Sequence, residues 1–316
     1  MDILKDIEKQ IESIKAEDNS AYLEQIYSHL DRAELYYKQG QNDEQYFNDV
    51  IYRSNQAYEG ALKESYKVLA GKTEFELNKT TPHKIEAHLK DNNIFRDRVL
   101  QLFENYRQEW RNKSTHDYKL IFKQDEAFIA LTSVTSFVHL LLREILEKQA
   151  YNKEKSKKNR KAKIQELNEL LKQDDKNLAE KIVKLLFEFT ESSIINSAHS
   201  TMFEVEILGM LNGFLSKSNE DLVVIREPKL ELNQFMRPDF IIEYENENVI
   251  LEIKKHFSRQ LLKSAIRQII SYLKAADITN GILYFVKTVY GNPVPKVDKN
   301  EINSDGKTFT VYIVTT

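Results

Sequence analysis

Glycine and proline limit a backbone more than any other residues, and in this chain they are unevenly spread. There are 8 glycines and 5 prolines, yet before residue 200 only Pro82, Gly40, Gly60 and Gly71 occur. Turns and helix ends draw on these residues. The first two thirds are therefore free to form long helices, and the last third must turn more often. Apolar periodicity agrees. Leu4, Ile7, Ile11 and Ile14 recur at helical spacing, as do Ile51, Asn55, Tyr58, Leu62, Tyr66 and Leu69, and later Phe128, Leu131, Thr135, Val138, Leu142 and Ile145. Each set is one apolar stripe on an otherwise charged helix. Pro82, after Thr81, marks a helix start.

Beyond residue 200 the pattern changes. The amphipathic segment STMFEVEILGMLNGFL is followed by DLVVIREPKLEL, PDFIIEY and VILEIK, with ENEN as a hairpin turn between the last two. A second helical segment, SRQLLKSAIRQIISYLKAA, precedes two apolar runs, GILYFVKTV and TFTVYIV. The expected order is helix, three strands, helix, two strands. This makes a multidomain chain with an all-α N-terminal part and an α/β C-terminal part. Residues 1–150 form the helical domain, 151–195 a basic stretch with connecting helices, and 196–316 the α/β domain. The run 149–163, QAYNKEKSKKNRKAK, reads first as a solvated loop. The sharper alternative is a strip contacting phosphates.

Charge and composition remove several function classes. A net charge of −3 over 316 residues excludes a broadly basic nucleic-acid binder, so any such contact must be local. The absence of cysteine excludes disulfides, thiolate zinc sites and cysteine nucleophiles, and fits a reducing cytoplasm. The N-terminus is charged rather than apolar, and no membrane-spanning stretch or membrane partner is expected. No glycine-rich phosphate loop is present. Outside one motif described below, the histidines show no metal-ligand spacing with one another.

The hairpin carries the strongest chemical signal. Asp239 opens one strand, and Glu252 and Lys254 lie on the next. Alternation places Glu252 and Lys254 on one face. A symmetric ENEN turn pairs Tyr244 with Val249 and puts Asp239 opposite Lys254, on that same face. Two carboxylates supply hard oxygen ligands for Mg²⁺ or Mn²⁺, and an adjacent ammonium can orient water or offset charge on a phosphorane. The expected reaction is metal-assisted phosphodiester hydrolysis.

Pro238-Asp239 followed by Glu252-Ile253-Lys254 resembles the PD-(D/E)XK motif of restriction-endonuclease-like nucleases. The element order over about residues 200–316 is similar to that family's core. The resemblance implies a mixed sheet and DNA as substrate. It also implies an additional acidic metal ligand on the first core helix, Glu204, with Glu206 as the alternative. Gln268 and Tyr272 match the QxxxY element of some branches, four residues apart on one helical face.

A second constellation lies in the helical part, where residues 111–116 read RNKSTH. His116 can move protons near neutral pH, and Arg111 can grip a scissile phosphate. Five residues apart on a helix, they diverge by about 140°, so two copies facing each other across a dimer axis make a better site than one. The segment resembles HEPN domains, helical proteins marked by an arginine, a polar residue (here Asn112) and a histidine. The helix holding Ser54-Asn55-Gln56-Ala57-Tyr58-Glu59 and the apolar helix 126–146 fit the same family over residues 1–150. Asp117 departs from the glycine that many members carry. The resemblance implies a homodimer and a metal-independent RNase.

Together these features lead us to expect a cytoplasmic Mg²⁺-dependent DNA endonuclease with a dimerising helical domain that also cuts RNA, serving defence against phage or foreign DNA. Two rival readings stay open: a toxin ribonuclease of the HEPN kind, and a nucleic-acid-binding scaffold with a retired nuclease fold.

Overall fold

The computed structural model describes residues 3–17, 22–92, 94, 97–111, 121–157, 166, 168–169, 171–172, 176–194, 202–230, 236–286 and 294–316. The chain divides into two compact units, Met1–Gln149 and Ala150–Thr316.

The first unit is helical. It contains α1 (Ile3–Glu17), α2 (Tyr22–Gly40), α3 (Tyr46–Val68), α4 (Glu74–Asn78), α5 (Pro82–Asp91), α6 (Asp97–Tyr106) and most of α7 (Gln124–Ser156). Pro82 opens α5, as its fixed φ favours. The stripes read from the sequence are buried at Ile7, Ile11, Ile14, Tyr58, Leu62, Val138, Leu142 and Ile145. Tyr58 sits 4.9 Å from the Tyr106 ring and 5.4 Å from that of Phe137, an aromatic centre joining α3, α6 and α7. The buried Tyr106 hydroxyl donates to Asn55 Oδ1 at 2.6 Å, giving a buried polar group the partner it requires. By length and composition α7 is apolar enough to cross a membrane, yet 56% of its apolar window is buried inside the protein. We read it as a core helix.

The second unit is built on one sheet. Its helices are the end of α7, then α8 (Leu178–Phe189), α9 (Glu204–Ser218) and α10 (Arg259–Ala276). The strands are β1 (Val223–Arg226), β2 (Phe240–Tyr244), β3 (Glu247–Lys254), β4 (Asn280–Phe285), β5 (Lys296–Ser304) and β6 (Lys307–Thr315), in the order β1-β2-β3-β4-β6-β5. β2 runs antiparallel to both β1 and β3, β3-β4 and β4-β6 are parallel, and β5 and β6 form an antiparallel hairpin. The sheet is therefore mixed. Phe240, Ile242, Val249, Leu251 and Ile253 pack on one face with Ile182, Leu186 and Phe189 of α8 and Leu211 and Phe214 of α9. Ile241, Ile250, Leu283 and Phe285 face the other way, against Ile269, Tyr272 and Leu273 of α10. Strand alternation produces both layers, and the central strands are apolar on both faces because both are covered.

Three sequence expectations change here. The run 149–163 is not a loop at its start: α7 continues to Ser156. It does so because this end is packed. Glu154 is buried and accepts from Ser193 Oγ at 2.8 Å. Residues 151–195 are also more than a connection, because α8 supplies core to the sheet. Finally, β5 is a strand that apolar pattern does not reveal. It reads KVDKNEINS, is largely exposed, and pairs with β6 alone.

Gly213 on α9 marks a close approach of α7. A Cβ there would stand 2.6 Å from the backbone carbonyl oxygen of Tyr151. Main chain cannot move aside as a side chain can. Gly213→Ala is therefore expected to destabilise the protein by about 1–3 kcal/mol, measured by chemical denaturation. A wild-type midpoint would refute the close approach.

Candidate active site

Asp239 and Glu252 meet at the open end of the β2-β3 hairpin. Tyr244 pairs with Glu247 and Phe240 with Leu251, so the next position outward sets Asp239 beside Glu252. The expected pairings, Tyr244 with Val249 and Asp239 with Lys254, are thus displaced by two residues. The turn is Glu245-Asn246 alone, with Glu245 at a left-handed φ of 53°, and Glu247 and Asn248 join the ladder instead of looping out. A slip of two preserves the face of every side chain, where a slip of one reverses it. The three charged groups still converge.

Hydrogen bonds fix them. The Asp239 N–H donates to Glu252 Oε1 at 3.1 Å, and the Ile253 N–H donates to Asp239 Oδ2 at 2.8 Å. Lys254 Nζ donates to Glu252 Oε2 at 3.0 Å. Glu252 is only 3% exposed. Burial first, and then the Asp239 charge beside it, push its pKa up to about 7. Burial also raises Asp239, with Arg226 acting in the opposite direction. Burial disfavours the Lys254 ammonium, but Glu252, Asp239 and Glu204 outweigh it and hold this lysine above its usual range. The site is thus a pair of under-compensated carboxylates with one firmly charged ammonium.

The supporting residues fall at different depths. Gln268 Nε2 donates to Tyr272 Oη at 2.7 Å, so the two share one face of α10. Tyr272 is buried, which raises its pKa, and the charges of Glu252, Lys254 and Asp239 bear on its hydroxyl. Glu204 is exposed at the first position of α9, and its charge acts on Lys254. Lys255 Nζ donates to the Met202 carbonyl, tying the end of β3 to the start of α9. Glu206, the alternative acid, is engaged by accepting the Phe203 N–H at 2.6 Å. Among the described residues no three acidic or histidine side chains form a metal-holding group. Glu204, the expected third ligand, forms no such three-membered group with Asp239 and Glu252, although its charge reaches Lys254.

Two neighbours escaped the sequence reading. Arg226, ending β1, donates from Nη1 to the Asp239 carbonyl at 2.9 Å, and Nη1 lies 3.6 Å from Asp239 Oδ1. Glu227 follows it at a left-handed φ of 47°, and its N–H donates to the same carbonyl at 3.0 Å. The only sequence signal was a charged pair closing an apolar strand.

Of the helical-domain candidates, only Arg111 is among the described residues. Arg111 ends a π-helical turn, Arg107–Arg111, that continues α6. Asn112 and His116 lie outside the described residues. Trp110, beside Arg111, stacks on Tyr106 at 5.9 Å.

Comparison with known families bears on the C-terminal unit. Residues 210–293 match the model of the PD-(D/E)XK nuclease superfamily. The match runs from within α9 through β4, so it includes Asp239, Glu252, Lys254, Gln268 and Tyr272 and leaves Glu204 outside. This superfamily is one of nucleases, and the mixed sheet flanked by helices is consistent with its fold. A search of curated proteins and one of solved structures returned no match.

The donor set suits the divalent metal typical of the PD-(D/E)XK superfamily. Two carboxylates lie side by side, both with pKa values raised first by desolvation, and each carboxylate oxygen keeps lone-pair capacity beyond the hydrogen bonds described.

Proposed function

We propose that the C-terminal unit is a metal-dependent endonuclease that hydrolyses DNA phosphodiester bonds. The observation that carries this is the convergence of half-buried Asp239 and buried Glu252 with charged Lys254 at one end of the sheet. Asp239 and Glu252 would hold Mg²⁺ or Mn²⁺. When bound, such a cation lowers the pKa of a ligated water and offsets charge on the phosphorane. Lys254 Nζ has three donors, of which Glu252 takes one. The others can orient the attacking water or a phosphate oxygen. Tyr272 and Gln268 steady the α10 side of the site. DNA as the substrate rests on the resemblance to restriction-endonuclease-like enzymes.

We assign the helical unit the pairing of two copies of the chain, with RNA cleavage by Arg111 and His116, and the whole protein a cytoplasmic role in defence against foreign DNA. The support is the RNKSTH motif set within an all-helical unit.

Paired assays test both assignments. Supercoiled plasmid is expected to be cut with Mg²⁺ and left intact in excess chelator, and Asp239→Ala to abolish cutting. RNA cleavage is expected to persist in Asp239→Ala and to vanish in His116→Ala. Full plasmid cleavage by Asp239→Ala, or activity without divalent metal, overturns the site. Wild-type RNA cleavage by His116→Ala overturns the second assignment.

A further inference from the structure

Arg226 stands out for how completely it is engaged with one catalytic candidate. Its side chain is 10% exposed and that of Glu227 14%, so neither is placed to meet a polymeric substrate. The guanidinium stacks over the Phe240 ring, its Cζ 5.2 Å from the centroid. Nη2 lies 3.3 Å from Glu227 Oε1, while Nη1 faces Asp239 at both its carbonyl and its carboxylate. The Glu227 N–H closes on the same Asp239 carbonyl, which requires the left-handed backbone at Glu227. A non-glycine residue in that region costs free energy that the surrounding contacts must hold in place. Asp239 itself precedes β2 and is not part of the ladder. Its position therefore depends on these contacts as well as on the two hydrogen bonds it shares with β3.

We propose that Arg226, held by Glu227 and Phe240, is a positioning residue that fixes the main chain and carboxylate of Asp239 for divalent-cation binding. The inference rests on the nuclease reading of the site. A planar fork can span a carbonyl, a carboxylate and a second acid at once, and a lysine ammonium cannot match that geometry. Partners that orient metal ligands typically contribute about 10–100-fold in affinity or activity.

The test uses the full chain with Mn²⁺ as probe, by calorimetry, together with plasmid-cleavage kinetics. Arg226→Met is expected to weaken Mn²⁺ binding about 10–100-fold and to lower kcat, with KM for DNA unchanged. Arg226→Lys keeps the charge and is expected to fall between Arg226→Met and wild type. It also serves as the deciding variant if Arg226→Met does not fold. Mn²⁺ binding at wild-type strength in Arg226→Lys and Arg226→Met, with Asp239→Ala abolishing it, overturns the positioning role and leaves the metal site standing. Mn²⁺ binding unaffected by Asp239→Ala removes the metal site itself, and the positioning role with it.

Discussion

Lys254→Met is expected to lower plasmid cleavage on the order of 10²–10³-fold without loss of Mn²⁺ binding. The lysine is not placed as a metal ligand. Its Nζ donates to Glu252 Oε2 at 3.0 Å, and the surrounding acids keep it charged. Removing it takes a fixed positive charge from where the phosphorane gathers negative charge, which affects the transition state more than the ground state. Metal affinity is expected to hold or to rise, since a competing cation beside Glu252 is gone. The result should appear as a fall in kcat at saturating Mn²⁺ with little change in KM. A variant that loses Mn²⁺ binding together with activity would show that Lys254 supports the carboxylates rather than the reaction.

A stability effect of comparable weight should follow from Glu252, whose pKa is pushed up to about 7 by burial and by Asp239. Below the ordinary glutamate value of 4.5 the folded and unfolded chains both carry this proton. Between 4.5 and about 7 the unfolded chain has released it while the folded chain retains it, so folding is progressively disfavoured as pH rises through that window. Above the window the penalty is constant, on the order of 3 kcal/mol. In chelator, wild type should therefore lose stability between pH 5 and pH 8. Glu252→Gln still offers an acceptor to the Asp239 N–H but cannot ionise, and should show a flatter profile and the higher midpoint at pH 8. Denaturant titrations at the two pH values measure it. Parallel profiles for the two proteins would mean that Glu252 ionises in the fold at little cost. Such a cost is what a cation-binding pair looks like without its cation, stability at neutral pH being given up for a site that draws in charge.

Much of this was legible in the sequence because the informative signals were local. Helical stripes such as Ile7, Ile11 and Ile14 report burial directly, and they are buried. Glu252 and Lys254 lie on β3 and Asp239 one residue before β2, with a short turn between the strands, so alternation brings them to one face. Long-range features were harder to read. β5 carries almost no apolar residue, because one neighbour and solvent are all that it meets. Arg226 reaches Asp239 across the β1-β2 pairing, a relation that no spacing rule encodes. The register depended on whether Glu247 and Asn248 loop out or pair, and both are polar enough for either. Helix periodicity gives the face of Glu204 but not its distance from the carboxylate pair, so its part as a third ligand was not legible from spacing.

The two-residue turn at Glu245-Asn246 has a consequence for how the site assembles. Bringing Asp239 to Glu252 closes a short hairpin loop, whereas β3 meets β4 only after the chain has crossed over through α10. Loop-closure entropy grows with the length of chain enclosed. Setting two carboxylates together, with Glu252 buried, is therefore assigned to a pairing that asks little of chain entropy. The long crossover is held chiefly by apolar contacts such as Ile269 and Leu273 against the sheet.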